Sequence, residues 1–124
     1  MSTTSSTGLR VTGIDAMTYL VKDTDRAIAF YRDVLGLDVT RQFPGGAEFD
    51  LADGSTFGLW NPEGYMPWHA CTGVLFAVDD FEGAVRTARE RGASIHHVEE
   101  TPACHMAIGI DSEGNGLILH KRKP

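Results

Sequence analysis

The chain has 124 residues, a length suited to one domain whose core buries about two-thirds of its surface. At 42% hydrophobic and 23% charged residues it has the make-up of an ordinary globular protein, and no apolar run approaches the roughly 20 residues of a membrane span. A net charge of −6 argues against a nucleic-acid or anionic-membrane surface and would favour a cationic ligand.

The opening MSTTSSTG is small and polar, with neither a basic nor an apolar region of a signal peptide. Residues 1–10 are therefore expected to form a flexible leader, and residues 11–124 a single domain. Two cysteines, Cys71 and Cys104, give no disulfide framework and suit a reducing cytoplasm.

Ile14–Val21 alternates in the manner of a strand, with Met17, Tyr19 and Val21 on one face and Ala16, Thr18 and Leu20 on the other. Asp23 or Thr24 caps a helix whose buried stripe is Ala27, Ile28, Tyr31, Val34 and Leu35, and Gly36 stops it. Leu37–Phe43 reads as a strand and Pro44-Gly45-Gly46 as a turn. Ala47–Leu51 and Ser55–Trp60 are strands joined across Asp53-Gly54, a hairpin signal. Glu48 and Asp50 then alternate with Phe49 and Leu51, and the apolar pair is expected on the concave face.

Asn61–His69 is a linker, broken by Pro62, Gly64 and Pro67. Its aromatics, Tyr65 and Trp68, either cover a pocket or pin the two halves together. Gly73–Val78 is the next strand and Phe81–Arg91 the second helix, ended by Gly92. Ser94–Val98, Cys104–Ile110 and Gly116–Lys121 are strands, the last two flanking a tight turn at Asp111–Asn115.

The halves repeat. Val21, Asp23, Asp25, Ala27 and Ile28 fall 57 residues before Val78, Asp80, Glu82, Ala84 and Val85. This predicts two β-α-β-β-β modules, about 12–60 and 71–121, joined by a linker at 61–70.

Two segments carry a resemblance to a known family. Asp23–Leu37 is similar to a "D…A…FY…VLGL" segment, and IDSEGNGLIL at 110–119 to a "DPDGN…E" strand pair, of the vicinal oxygen chelate superfamily. That superfamily includes glyoxalase I, bleomycin-resistance proteins, fosfomycin-resistance enzymes and extradiol dioxygenases. The resemblance implies an α+β fold of two βαβββ modules, a curved, cup-like mixed sheet with helices on the convex face. It also implies pairing of one-domain chains, with cups at or near the interface of a homodimer.

Metal-using members place four ligands on the concave faces of the first, fourth, fifth and eighth strands. Carried over, those positions fall at Ala16, Gly58, Gly73 and Ile118. None offers a donor, and a divalent ion needs three or four. The expectation is therefore no metal and no cofactor.

The alternation that fixes those positions also names the cup lining: Thr18, Leu20, Thr56 and Trp60 from the first half, and Leu75, Cys104, Met106, Ile108, Ile118 and His120 from the second. Such a lining is mostly apolar, as small-molecule pockets are, with Trp60 as the stacking surface. His120 is the candidate acid–base or orienting group. Cys104 and His105 are strand neighbours and so point to opposite faces, His105 towards the helix layer.

Two functions follow as expectations. One is a metal-independent protein that binds a hydrophobic or aromatic small molecule, for sequestration, resistance or carriage. The alternative is a glyoxalase- or dioxygenase-like enzyme using an off-pattern metal or a metal-free His120.

Overall fold

The computed structural model describes residues 8–124. Of the expected leader, residues 1–7 lie outside them. Each half builds one mixed sheet of four strands. Sheet one contains β1 (Met17–Leu20), β2 (Arg41–Phe43), β3 (Gly46–Asp50) and β4 (Thr56–Trp60), in the order β1-β4-β3-β2. Sheet two contains β5 (Leu75–Ala77), β6 (Ser94–Glu100), β7 (Cys104–Ile110) and β8 (Gly116–Arg122), in the order β5-β8-β7-β6. In each sheet the first strand pairs parallel with the fourth, and the other pairs are antiparallel. The α+β fold of two βαβββ units is the one the repeat predicts.

The helices start alike because their caps are alike. Asp23 accepts a hydrogen bond from Arg26 N at 3.0 Å and opens α1 (Thr24–Ala29). Asp80 accepts from Gly83 N at 3.0 Å and opens α2 (Phe81–Glu90). Both carboxylates satisfy donors that the first turn leaves free. The first helix departs from its echo at Phe30–Val34, which forms a π-helical turn with Leu35 N bonded to Phe30 O. That wider turn leaves both Phe30 and Tyr31 buried.

Strand β1 begins at Met17, three residues later than the alternation suggests. Its one partner, β4, begins at Thr56, and with Met17 paired to Phe57 the residues before Ala16 have no strand to pair with. Strand β2 likewise holds only Arg41–Phe43, the stretch that faces β3.

The core lies between the sheets and their helices, and aromatic rings join its halves. Phe57 stands 5.2 Å from Tyr19, 4.9 Å from Tyr31 and 5.1 Å from Phe76, centroid to centroid. Phe76 belongs to the second repeat, so both repeats share this cluster.

A buried polar latch adds a second connection. Glu113, in the turn between β7 and β8, accepts from Lys22 N and Asp23 N at 2.8 Å and from Arg26 Nε at 2.7 Å. Asp111 accepts from the Tyr31 hydroxyl at 2.6 Å, and Asn115 donates to Leu20 O at 2.8 Å. All three polar side chains are buried. Burial, reinforced by Asp111, pushes the Tyr31 phenol far above its usual range. The turn that reads as a simple connection is what holds the second repeat onto the entrance of the first helix.

Candidate functional site

Strand alternation puts the helices' partners on one face of each sheet and leaves the other face for function. In sheet one, Tyr19, Ala47, Phe49, Phe57 and Leu59 turn to the core. The opposite face carries Thr18, Glu48, Gly58 and Trp60, which with Phe43 line a cavity of about 240 Å³.

This corrects one expectation. Phe49 does not face the cavity: it is fully buried, 6.2 Å from Tyr31 and 6.3 Å from Phe57. Because Phe49 takes the core side, Glu48 and Asp50 take the other, opposite Gly58 and Thr56 of β4. The face is accordingly less apolar than expected. Arg41, opposite Glu48 on β2, forks onto Asp50 through Nη1 at 3.0 Å and Nη2 at 2.6 Å, and reaches Glu48 Oε1 through Nε at 2.6 Å. Thr56 adds a 2.8 Å bond to Asp50. Arg41 first, and Thr56 after it, hold the Asp50 carboxyl below the usual carboxylate range.

Glycine gives the face its depth in one place and its closure in another. The Phe43 ring lies over Gly46, where a Cβ would stand 2.5 Å from its nearest atom. Gly46 pairs with Trp60, so the two aromatic side chains share one end of the cavity. At Gly58 a Cβ would come within 2.8 Å of Thr18 Oγ1, so the hydroxyl already occupies that space.

Both linker aromatics have defined places. Trp68 donates from Nε1 to Leu20 O at 3.0 Å and carries Lys22 Nζ 4.0 Å above its ring, which pins linker to strand. Tyr65 lies 5.4 Å from Trp60 and is 79% exposed, extending the aromatic rim outward.

Of the residues named from sequence, Thr18 and Trp60 line the cavity together with Gly58. Thr56 sits beside it through Asp50. Leu20 is buried, with its amide directed at Cys71 Sγ. The remaining six belong to sheet two and line no cavity with sheet one. Leu75, Ile118 and Ile108 form a cross-strand row, with His120 between Ala77 and Met106 in the next. Cys104 is buried at the strand end, 3.4 Å from Thr101 Oγ1, and His105 packs against Phe81 at 5.3 Å. Sequence reasoning missed Arg41, Phe43 and Glu48 as site residues. Their signal was there: one arginine facing two acids across a Pro-Gly-Gly turn is a cross-strand ion-pair pattern.

The four carried-over metal positions offer no donor. Gly58 lies in β4 and Ile118 in β8, while Ala16 and Gly73 fall just outside β1 and β5. Among the described residues no three His, Cys, Asp or Glu side chains gather to hold an ion. This donor set does not fit a divalent metal. A second hollow, of about 460 Å³, lies between α2 and β6, lined by Phe81, Val85, Arg86, Arg89 and Val98. Four of its seven lining residues, Glu82, Arg86, Arg89 and Glu90, are charged.

Two βαβββ repeats, with a hollow on the face of sheet one away from the helices, define an α+β domain of paired modules. Residues 13–117 match the Glyoxalase/Bleomycin resistance protein/Dioxygenase superfamily, and the chain belongs to that family. It is similar in structure to TnmS3, an antibiotic binding protein from Streptomyces sp. CB03234, with a TM-score of 0.80 at 22% identity over 93% of this chain and 99% of that one. It is also similar to a lactoylglutathione lyase from Agrobacterium tumefaciens, with a TM-score of 0.75 at 20% identity over 90% and 95% of the two chains. A glyoxalase/bleomycin resistance protein/dioxygenase from Nocardioides gives 0.73 at 17% identity, covering 92% and 85%. At these identities the likeness is one of fold. No curated protein matches the sequence. Among the described residues, no helix is long and apolar enough to cross a membrane.

Proposed function

We propose that this protein binds an aromatic small molecule, without metal and without catalysis, on the sheet-one face around Trp60. The observation that carries the reading is the cavity itself: an indole and a phenyl ring at one end, Thr18 and Gly58 on the floor, and no metal-ligand set among the described residues. Aromatic walls with a few polar points are how small-molecule sites combine affinity with orientation. An antibiotic binding protein of the same fold supports this use of it. A lyase of the same fold exists, but among the described residues no three His, Cys, Asp or Glu side chains gather as metal chemistry would need.

The hollow is smaller than the roughly 300–1,000 Å³ of sites that enclose a drug-sized molecule. Chains therefore pair, and the second copy completes the enclosure. Phe43, Met17, Leu75 and Ile110 are each 41–49% exposed, apolar surface of the kind a partner covers. Sheet two's row of Leu75, Ile108, Ile118, Met106 and His120 supplies the opposing wall in that assembly. Two free cysteines are in keeping with work in a reducing compartment such as the cytoplasm.

Tryptophan fluorescence titrated with planar aromatic antibiotics tests the binding. Trp68 is tied to Leu20 and Lys22, so a Trp68→Phe variant leaves Trp60 as the reporter. Quenching in that variant and its loss in Trp60→Ala are expected. No response in either protein, or stoichiometric zinc, nickel, manganese or iron in the purified material, overturns the proposal.

A further inference from the structure

The sheet-one face carries two carboxylates against one guanidinium, and the uncompensated charge lies in the aromatic cavity. Asp50 is fully engaged: Arg41 bonds both of its oxygens, and Thr56 Oγ1 bonds one again. Glu48 is not. Its Oε1 takes the remaining Arg41 Nε–H, while Oε2 accepts no hydrogen bond from a described residue. Of the cavity lining, Thr18, Phe43, Ala47, Glu48, Gly58, Leu59 and Trp60, only Glu48 is charged. The Asp50 fork also keeps Arg41 from swinging into the cavity, so the guanidinium supports Glu48 from outside without blocking it.

We propose that the cavity selects aromatic molecules that carry a protonated amine, the ring resting against Trp60 and Phe43 and an N–H donating to Glu48 Oε2. This rests on the aromatic-binding reading above and adds the charge of the guest. A neutral ring would cover Glu48 and leave a carboxylate short of water with half its acceptors empty, which costs free energy. An ammonium replaces the lost hydration with a charge-assisted bond and gains from the faces of two rings. The net charge of −6 enriches cations around the protein in the same sense.

Equilibrium dialysis with three planar probes tests this: 9-aminoacridine, cationic at neutral pH; acridine, neutral there; and anthraquinone-2-sulfonate, an anion. The wild type is expected to bind the cation about tenfold or more tightly than acridine, and the anion least. Glu48→Gln should erase that preference while keeping acridine binding. Asp33→Asn, the same charge change on the π-helical turn, should keep the preference. Equal binding of cation and neutral probe by the wild type, or a preference that survives in Glu48→Gln, overturns the inference and leaves the aromatic site standing. If none of the three binds the wild type at millimolar concentration, the site reading falls and this inference falls with it. The comparison of probes within the wild type does not depend on any variant folding.

Discussion

Replacing Glu113 by glutamine keeps the side chain's shape and removes its charge, and so isolates the latch between the repeats. Four donors converge on this buried carboxylate: Lys22 N, Asp23 N, Arg26 Nε and the neighbouring Ser112 hydroxyl. The arginine is 53% exposed, so its ion pair contributes little. The two backbone bonds weaken from charge-assisted to neutral strength, a loss of about 0.5–1 kcal/mol each. The new amide nitrogen also faces the guanidinium, donor against donor. The expected cost is about 2 kcal/mol, or about 8 °C in Tm for a chain this long.

Its pH dependence gives the sharper check. Burial raises the Glu113 carboxyl, but Arg26, Asp23 N and Lys22 N outweigh burial and hold it below its ordinary 4.5. A depressed carboxylate stabilises the fold above the unfolded-state value and loses that contribution as pH falls through the folded value. Thermal melts followed by circular dichroism should therefore show a full gap between wild type and variant at neutral pH, narrowing as the pH falls below the ordinary 4.5 and through the lower folded value. Carboxylates elsewhere titrate in both proteins and cancel in the difference. A neutral-pH gap under about 0.5 kcal/mol, the size of an ordinary surface change, or a gap that acid does not narrow, would refute the reasoning.

Two further outcomes probe the scaffold. Phe57→Ala removes the ring that touches Tyr19, Tyr31 and Phe76 and should cost about 3–5 kcal/mol in urea unfolding; a loss below about 1 kcal/mol would mean the repeats do not share that cluster. At Gly109 a Cβ would meet the Ser94 carbonyl oxygen at 1.9 Å and its carbon at 2.8 Å, both backbone and unable to yield. Gly109→Ala should cost about 2 kcal/mol and speed amide exchange along Ser94–Glu100, and unchanged exchange there would contradict the β6–β7 register.

Local chemistry announced the scaffold in the sequence. Asp23 and Asp80 stand 57 residues apart and cap their helices through the same geometry, and Gly36 and Gly92 take the positive φ that a helix stop requires. What alternation does not say is which of a strand's two faces is the inner one. Apolar Phe49 was assigned to a cavity because it is apolar, yet the core claims it first, through Tyr31 and Phe57. The functional face then fell to the charged residues beside it. Asp111, Glu113 and Asn115 were hidden for a similar reason. As a string they are a polar turn, and only their partners between Leu20 and Tyr31, some 80 to 95 positions away, tie them into the core. None of the sheet-two residues that alternation names for the cup lines the sheet-one hollow, because alternation gives a residue's face but not how the two sheets are set against each other.

The latch also sets a timetable for synthesis. The bonds that complete the start of α1 reach from Lys22, Asp23 and Arg26 to Glu113, separations of 91, 90 and 87 residues. A ribosome must therefore make nearly the whole chain before the first helix receives its acceptor. Until then Tyr31, Phe57 and Val21, all fully buried in the finished protein, wait without the Phe76 ring or the Asp111 carboxylate that cover or satisfy them. Long-range closure of this kind is slow, and the nascent first repeat is the segment that most needs shielding from other chains.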